Sequence, residues 1–254
     1  MSQRLALAAS AAALLAITSA LHAEVNPYTV DSNTLHLWHL DDLSAPVGDS
    51  VADEDGGMAL QGLLNNATLG NASYTGFGTS LNTFTSGGGT ADSSSWKGGL
   101  LLAQPALSSS TADDVPSTFG YSGADGAFTY EAIIKLDANL TLGESPSNNW
   151  MQIMSMDNET VANRVFHFRL QDSAVPALAF LPFSLAGGAL QSGVLQAQVP
   201  ITGEHALAVD TWFHVAVTYN GAEGTADNMA FYWTKLDDDV TEPNLIGSVQ
   251  MNAD

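Results

Sequence analysis

The stretch Thr211-Trp212-Phe213-His214-Val215-Ala216-Val217-Thr218-Tyr219-Asn220-Gly221 alternates in a way that only an extended chain can use. Phe213, Val215, Val217 and Tyr219 fall on one side, Trp212, His214, Ala216 and Thr218 on the other, which predicts a strand buried on both faces. Asn220-Gly221 tolerates positive φ and predicts a chain reversal directly after Tyr219. Comparable strand signals occupy 127–136, 150–156, 164–171, 177–185, 193–199 and 228–236, separated by turn residues. No segment between them carries an amphipathic helical period. The pattern therefore predicts an all-β fold, an antiparallel two-sheet β-sandwich. Pro176, Pro182 and Pro200 must then lie at strand ends, edges or bulges, because proline cannot donate to a ladder. Ser44 to Ser122 differs: it is dense in Gly, Ser, Thr, Asn and Asp, with short apolar runs at Met58 to Leu64 and Leu100 to Ala103. That region reads as short strands joined by wide loops.

The first 23 residues belong to a different grammar. Arg4 precedes an Ala/Leu-rich run from Leu5 to Leu21, and Leu21-His22-Ala23 resembles a signal-peptidase site that leaves Glu24 as the new N-terminus. A membrane anchor is the alternative, but the run is short for a span of about 20 residues and is broken by Ser10, Thr18 and Ser19. Residues 24–254 then suit a single large β domain with no membrane span. The chain has no cysteine, so an exported protein of this kind holds together without disulfides. The expectation is a secreted or cell-surface protein from a bacterium.

Charge narrows the partners. Six Lys and Arg stand against 27 Asp and Glu, a formal net charge of −21, and loss of Arg4 with the leader makes the mature chain one unit more negative. Nucleic acid and anionic membrane surfaces are poor partners for such a field, and neither nucleic acid nor a membrane span of the mature chain is expected. The acidity has two explanations, carboxylates gathered on divalent cations or a solvated surface suited to a salty medium.

The 211–221 strand resembles the W-x-H-V-A-V-T-Y-N-G strand of laminin-G-like jelly rolls, a branch of the concanavalin A-like lectin and glucanase superfamily. Other segments are similar in the family's order. Thr34 to Asp42 resembles its opening strand, Phe128-Thr129-Tyr130-Glu131-Ala132-Ile133-Ile134-Lys135 its F-T-I-E-A-W-V-K strand, and Gln152 to Ser155 and Phe166 to Leu170 the two that follow. Gly98 to Leu102 matches part of an earlier strand. The resemblance implies a jelly roll, with the opening strand paired to a final strand of the type F-x-G-x-I-D-E-V-R-I. Asn244 to Met251 carries only the Ile246-Gly247 step of that motif, so the domain is expected to lack its last strand and to leave Leu35, Leu37 and His39 on an open edge.

Candidate chemistry follows from the same resemblance. Family members that cleave β-glucans carry Glu-x-Asp-x-x-Glu, and none of the eight glutamates here has an aspartate two residues later. Glu131 is the one glutamate within a strong strand signal, and a lone carboxylate does not make the pair that glycoside hydrolysis needs. Glu131, Arg169 and His214 are instead candidate hydrogen-bonding groups for sugar hydroxyls, or polar outer-face residues contacting Lys135 or one another. Trp38, Trp212 and Trp233 sit within strand patterns and are expected in the core. Trp96 and Trp150 follow Ser- and Asn-rich loops and are candidate platforms for sugar rings.

Calcium is the expected ion, because oxygen ligands are abundant and thiols absent. The resemblance implies Asp41 and Asp42 as ligands at the end of the opening strand; Asp157 and Asn158 are a second pair of donors in a turn. Asp53-Glu54-Asp55-Gly56-Gly57 reads as a solvated turn. The function implied is non-catalytic binding of an extracellular polysaccharide or surface glycoprotein. A structural or adhesive module of a larger envelope protein is the alternative, and a glycoside hydrolase the next.

Overall fold

The computed structural model describes residues 27–41, 50–55, 60–64, 68–83, 99–102, 126–138, 149–156, 166–172, 175–182, 194–237, 240 and 242–252. The leader, Asp42, Trp96, Asp157 and Asn158 lie outside them. Thirteen strands follow in chain order: β1 (Ser50–Val51), β2 (Leu60–Leu64), β3 (Thr68–Ala72), β4 (Thr79–Asn82), β5 (Gly99–Leu102), β6 (Phe128–Lys135), β7 (Asn149–Met156), β8 (Phe166–Asp172), β9 (Ala177–Pro182), β10 (Leu195–Gln198), β11 (Trp212–Tyr219), β12 (Met229–Lys235) and β13 (Leu245–Val249). Every pairing is antiparallel, and no described residue is helical.

Two four-stranded sheets, ordered β13-β12-β11-β6 and β10-β9-β8-β7, form the body of the sandwich. The chain leaves the first sheet after β6, meanders through β7 to β10, and returns with β11 beside β6. Phe213, Val215 and Val217 are fully buried on β11, as are Met229, Phe231 and Trp233 on β12. They share one core with Phe166, Phe168, Leu170, Leu178 and Phe180 of the opposite sheet. Tyr130 of β6 stacks on Phe166 with ring centroids 4.6 Å apart, and Phe128 meets Phe180 at 5.4 Å, so the two apolar faces are in direct contact. At one side the sheet edges also meet: a Cβ added to Gly247 of β13 would lie 3.1 Å from the Ala197 Cβ of β10.

All seven strand signals between 127 and 236 coincide with β6 to β12. The prolines obey the ladder rule, Pro176 preceding β9, Pro182 closing it and Pro200 following β10. Three expectations need correction. On β11 only the Phe213 face is fully buried; Trp212, His214 and Thr218 are half-buried on the other. The strands buried on both faces are β8, where His167 and Arg169 are as enclosed as the phenylalanines, and β9, where Ala177 and Ala179 back Leu178 and Phe180. The chain reverses after Tyr219 with Gly221 at φ 80°, as expected, but Asn220 keeps a negative φ and the connection runs through residues 220–228. Asn228 staples it, its amide donating to the carbonyls of Ala222 and Met251 while its oxygen accepts from the Met251 N–H.

The third correction concerns 34–41, where no strand forms. The open edge expected at Leu35, Leu37 and His39 is therefore not a ladder edge. Ile246-Gly247 belongs to β13, which pairs with β12. The Ser44–Ser122 region supplies the short strands expected of it, as a three-stranded sheet β1-β2-β5 and a hairpin β3-β4.

Burial fixes the first prediction. Phe231→Ala should cost about 3–5 kcal/mol in urea unfolding through lost transfer energy and an unfilled cavity. Thr129→Ala, on the exposed face of β6, should stay within about 0.5 kcal/mol; equal losses for the two would contradict the assignment of the inner face.

Candidate functional site

Residues 27–41 join no ladder, and a buried carboxylate supplies partners to their backbone. Asp53 accepts the Leu37 N–H at 3.0 Å and the Asp55 N–H at 3.2 Å through Oδ1, while its Oδ2 lies 2.6 Å from His36 Nδ1. A carboxylate taking two backbone donors is an acceptor, so the His36 proton sits on Nδ1. The Asp53 side chain is 1% exposed, which overturns its reading as part of a solvated turn. Glu54 N–H donates to the Leu37 carbonyl at 2.8 Å and completes the clamp. The His36 ring stacks on Trp38 at 5.3 Å and 9°, and Trp38 packs against the core.

Upstream, Asp31 closes a local turn by accepting from the Asn33 N–H and the Thr34 hydroxyl. The Asn33 bond foremost, with the Thr34 hydroxyl next, holds its carboxyl below the ordinary carboxylate value.

Downstream of the clamp, His39 and Asp41 line a cleft of about 450 Å³ with Pro27, Glu54 and the β3-β4 turn residues Gly76, Phe77 and Gly78. Gly76 and Gly78 adopt φ of 87° and 70°, which L side chains avoid. Gly78 also has a steric reason: an added Cβ would stand 3.0 Å from the Asp41 Cβ. The Phe77 ring is braced against Tyr74 at 5.9 Å. The cleft thus combines two carboxylates, an imidazole and one aromatic ring, with no Lys or Arg among the described residues that line it.

The other predicted residues are distributed as follows. Glu131 and His214 meet on the outer face of the first sheet, Nε2 to Oε2 at 3.0 Å. Tyr28 joins them, its hydroxyl donating to Glu131 and its ring 6.4 Å from that of His214. Burial first, then the Glu131 charge and the hydrogen bond to it, push the Tyr28 hydroxyl well above its ordinary pKa of 10.0. Lys135 instead pairs with Asp210 at 2.9 Å and lies 5.5 Å over Trp212, which is an outer-face residue and not a core one. Trp233 is fully buried, as expected.

Arg169 is separate from this cluster. It alternates with Phe168 and Leu170 on β8, faces away from the shared core, and is 3% exposed. Glu131 and Arg169 therefore lie on opposite outer faces of the sandwich. Trp150 is the second residue of β7, opposite Gln171, in line with the strand signal at 150–156; its side chain is outside the described ones. Asp41 is exposed and faces the cleft. Among the described residues no three His, Asp or Glu side chains gather closely enough to hold a metal ion.

The sequence reading missed Tyr28, Asp53 and Phe77. Only Phe77 had a local signal, an aromatic flanked by glycines in Tyr74-Thr75-Gly76-Phe77-Gly78.

No protein-family model, curated protein or solved structure matches the chain. The candidate site stands on its own geometry. Among the described residues, no helix is long and apolar enough to cross a membrane.

Tyr28 gives a pH prediction with a definite sign. Unfolded tyrosine ionises from pH 10.0 while folded Tyr28 keeps its proton, so the unfolded state holds fewer protons and stability falls as pH rises past that point. Tyr28→Phe should lose less stability than the parent between about pH 9.5 and 11.5 in denaturant titrations. An identical alkaline slope in both proteins would contradict the Tyr28–Glu131 contact.

Proposed function

We propose that this chain is an exported, non-catalytic module that binds an extracellular polysaccharide or surface glycoprotein. The observation that carries the reading is the cleft that His39, Asp41, Glu54 and Phe77 line together. Carboxylates and imidazole accept and donate to sugar hydroxyls, and an aromatic face takes the apolar side of a pyranose ring. The cleft is open to solvent and lined mainly by polar surface, which suits a hydroxylated ligand more than an apolar one. It lies beside loops on a rigid sandwich, where binding groups are commonly placed.

The resemblance to laminin-G-like jelly rolls supports the same reading, since function on that scaffold resides in sites at its loops. Trp96 and Trp150 remain part of the proposal as further ring platforms, and Asp42, Asp157 and Asn158 as oxygen donors for a structural calcium, Asp41 being kept for the cleft. Export through residues 1–23 places the module at the cell surface or beyond it.

A polysaccharide array probed with the parent protein and Phe77→Ala tests the proposal. Binding to at least one polysaccharide is expected, weakened about 10-fold in the variant by loss of roughly 1–1.5 kcal/mol of ring contact. Absence of binding to every polysaccharide would reject it in favour of a structural or adhesive role. Release of new reducing ends, abolished in Glu54→Gln, would replace recognition with hydrolysis by the Asp41 and Glu54 carboxylates.

A further inference from the structure

The charge distribution of the cleft narrows the ligand beyond polysaccharide in general. Asp41 and Glu54 line it, and the described lining contains no Lys or Arg. An acidic glycan would bring its own carboxylates or sulfates against these groups with no cation to answer them. It would also approach a protein carrying 27 acids against six basic residues, a field that repels anions well outside the contact.

The backbone that carries these carboxylates is held in place. Asp41 is confined by the close approach of Gly78, whose backbone leaves no room for a Cβ. Glu54 follows the buried Asp53, and its own N–H is fixed on Leu37. Exposed carboxylates on a tethered backbone, beside an aromatic ring packed on Tyr74, suit an ammonium group attached to a sugar ring. The ammonium donates charge-assisted hydrogen bonds to the acids and is attracted to the π face, while the ring of the sugar stacks.

Resting on the recognition reading above, we propose that the cleft selects glycans with free amino groups, a polymer of de-N-acetylated amino sugar, over neutral or acidic ones. Acetylation of the amine removes both the charge and two of its three donors, so the acetylated form loses the charge-assisted bonds and keeps stacking and the hydroxyl contacts.

Calorimetric titration of the full chain with a glucosamine tetramer, an N-acetylglucosamine tetramer, a galacturonate tetramer and spermidine tests this. The glucosamine tetramer should bind about 10-fold or more tightly than the acetylated one, an advantage that shrinks as salt is raised from about 20 to 200 mM. Asp41→Asn and Glu54→Gln should each weaken the glucosamine tetramer about 5- to 10-fold and the acetylated tetramer, which keeps only its hydroxyl contacts to these groups, by no more than about 2-fold. Circular dichroism and thermal melting of both variants check that the fold is retained, and a Phe77→Ala variant should weaken both tetramers.

Equal or tighter binding of the acetylated or galacturonate tetramer, still sensitive to Phe77→Ala, would overturn the amino-sugar proposal and leave glycan recognition standing. Spermidine matching the glucosamine tetramer would overturn it as well, because charge alone would then explain binding. Failure of every oligosaccharide to bind would reject both this proposal and the recognition reading at this cleft.

Discussion

The register of β11 between β6 and β12 is the constraint from which the rest of the molecule follows. Val217 is set opposite Tyr130 on one side and Phe231 on the other, and the pairing continues without a shift along all of β11. A slip of one residue would turn Phe213, Val215 and Val217 to the outside and bring His214 and Trp212 into the phenylalanine-rich core. Because that exchange would forfeit the burial of several large side chains, each worth about 1.5–3 kcal/mol, the register is strongly specified. It also places Glu131 and His214 on the outer face, where Tyr28 reaches them.

Outside the sheets a different device is used. Residues 36–38 belong to no ladder, and Asp53 supplies from its side chain an acceptor that a neighbouring strand would have supplied from its backbone. Burying a carboxylate is costly unless hydrogen bonds surround it, and here the His36 ring and two backbone N–H groups do so. The arrangement fixes the segment immediately before His39 and Asp41. The cleft is in this sense a consequence of the clamp: its carboxylates stand on chain segments tied to the core through Trp38 and to each other through Leu37 and Glu54.

Legibility in the sequence followed burial. From β6 to β12 each strand has at least one inner face of large apolar residues, and alternation located all seven. β13 escaped because its sequence, Leu-Ile-Gly-Ser-Val, exposes Leu245 and puts Gly247 where Ala197 closes in, so no alternation survives. The 34–41 segment misled for the opposite reason: Leu35, Leu37 and His39 alternate as a strand would, yet Leu35 is 58% exposed and the backbone bonds go to Asp53 and Glu54. Nothing local in Asp53-Glu54-Asp55 distinguishes a buried acid from a solvated one; its partners lie 16 and 17 residues away. The proposed binding groups divide in the same manner. Glu131 and His214 were found through strand periodicity, whereas the cleft is assembled from three separate segments and has no periodic signature.

Native-state hydrogen exchange tests the central claim most directly. The account predicts that the ladder amides of β11 exchange last, with protection equal to the global unfolding free energy, while the free-standing 27–41 segment exchanges through smaller openings. Protection of β11 no greater than that of 27–41 would contradict the assignment of this strand as the centre of the fold.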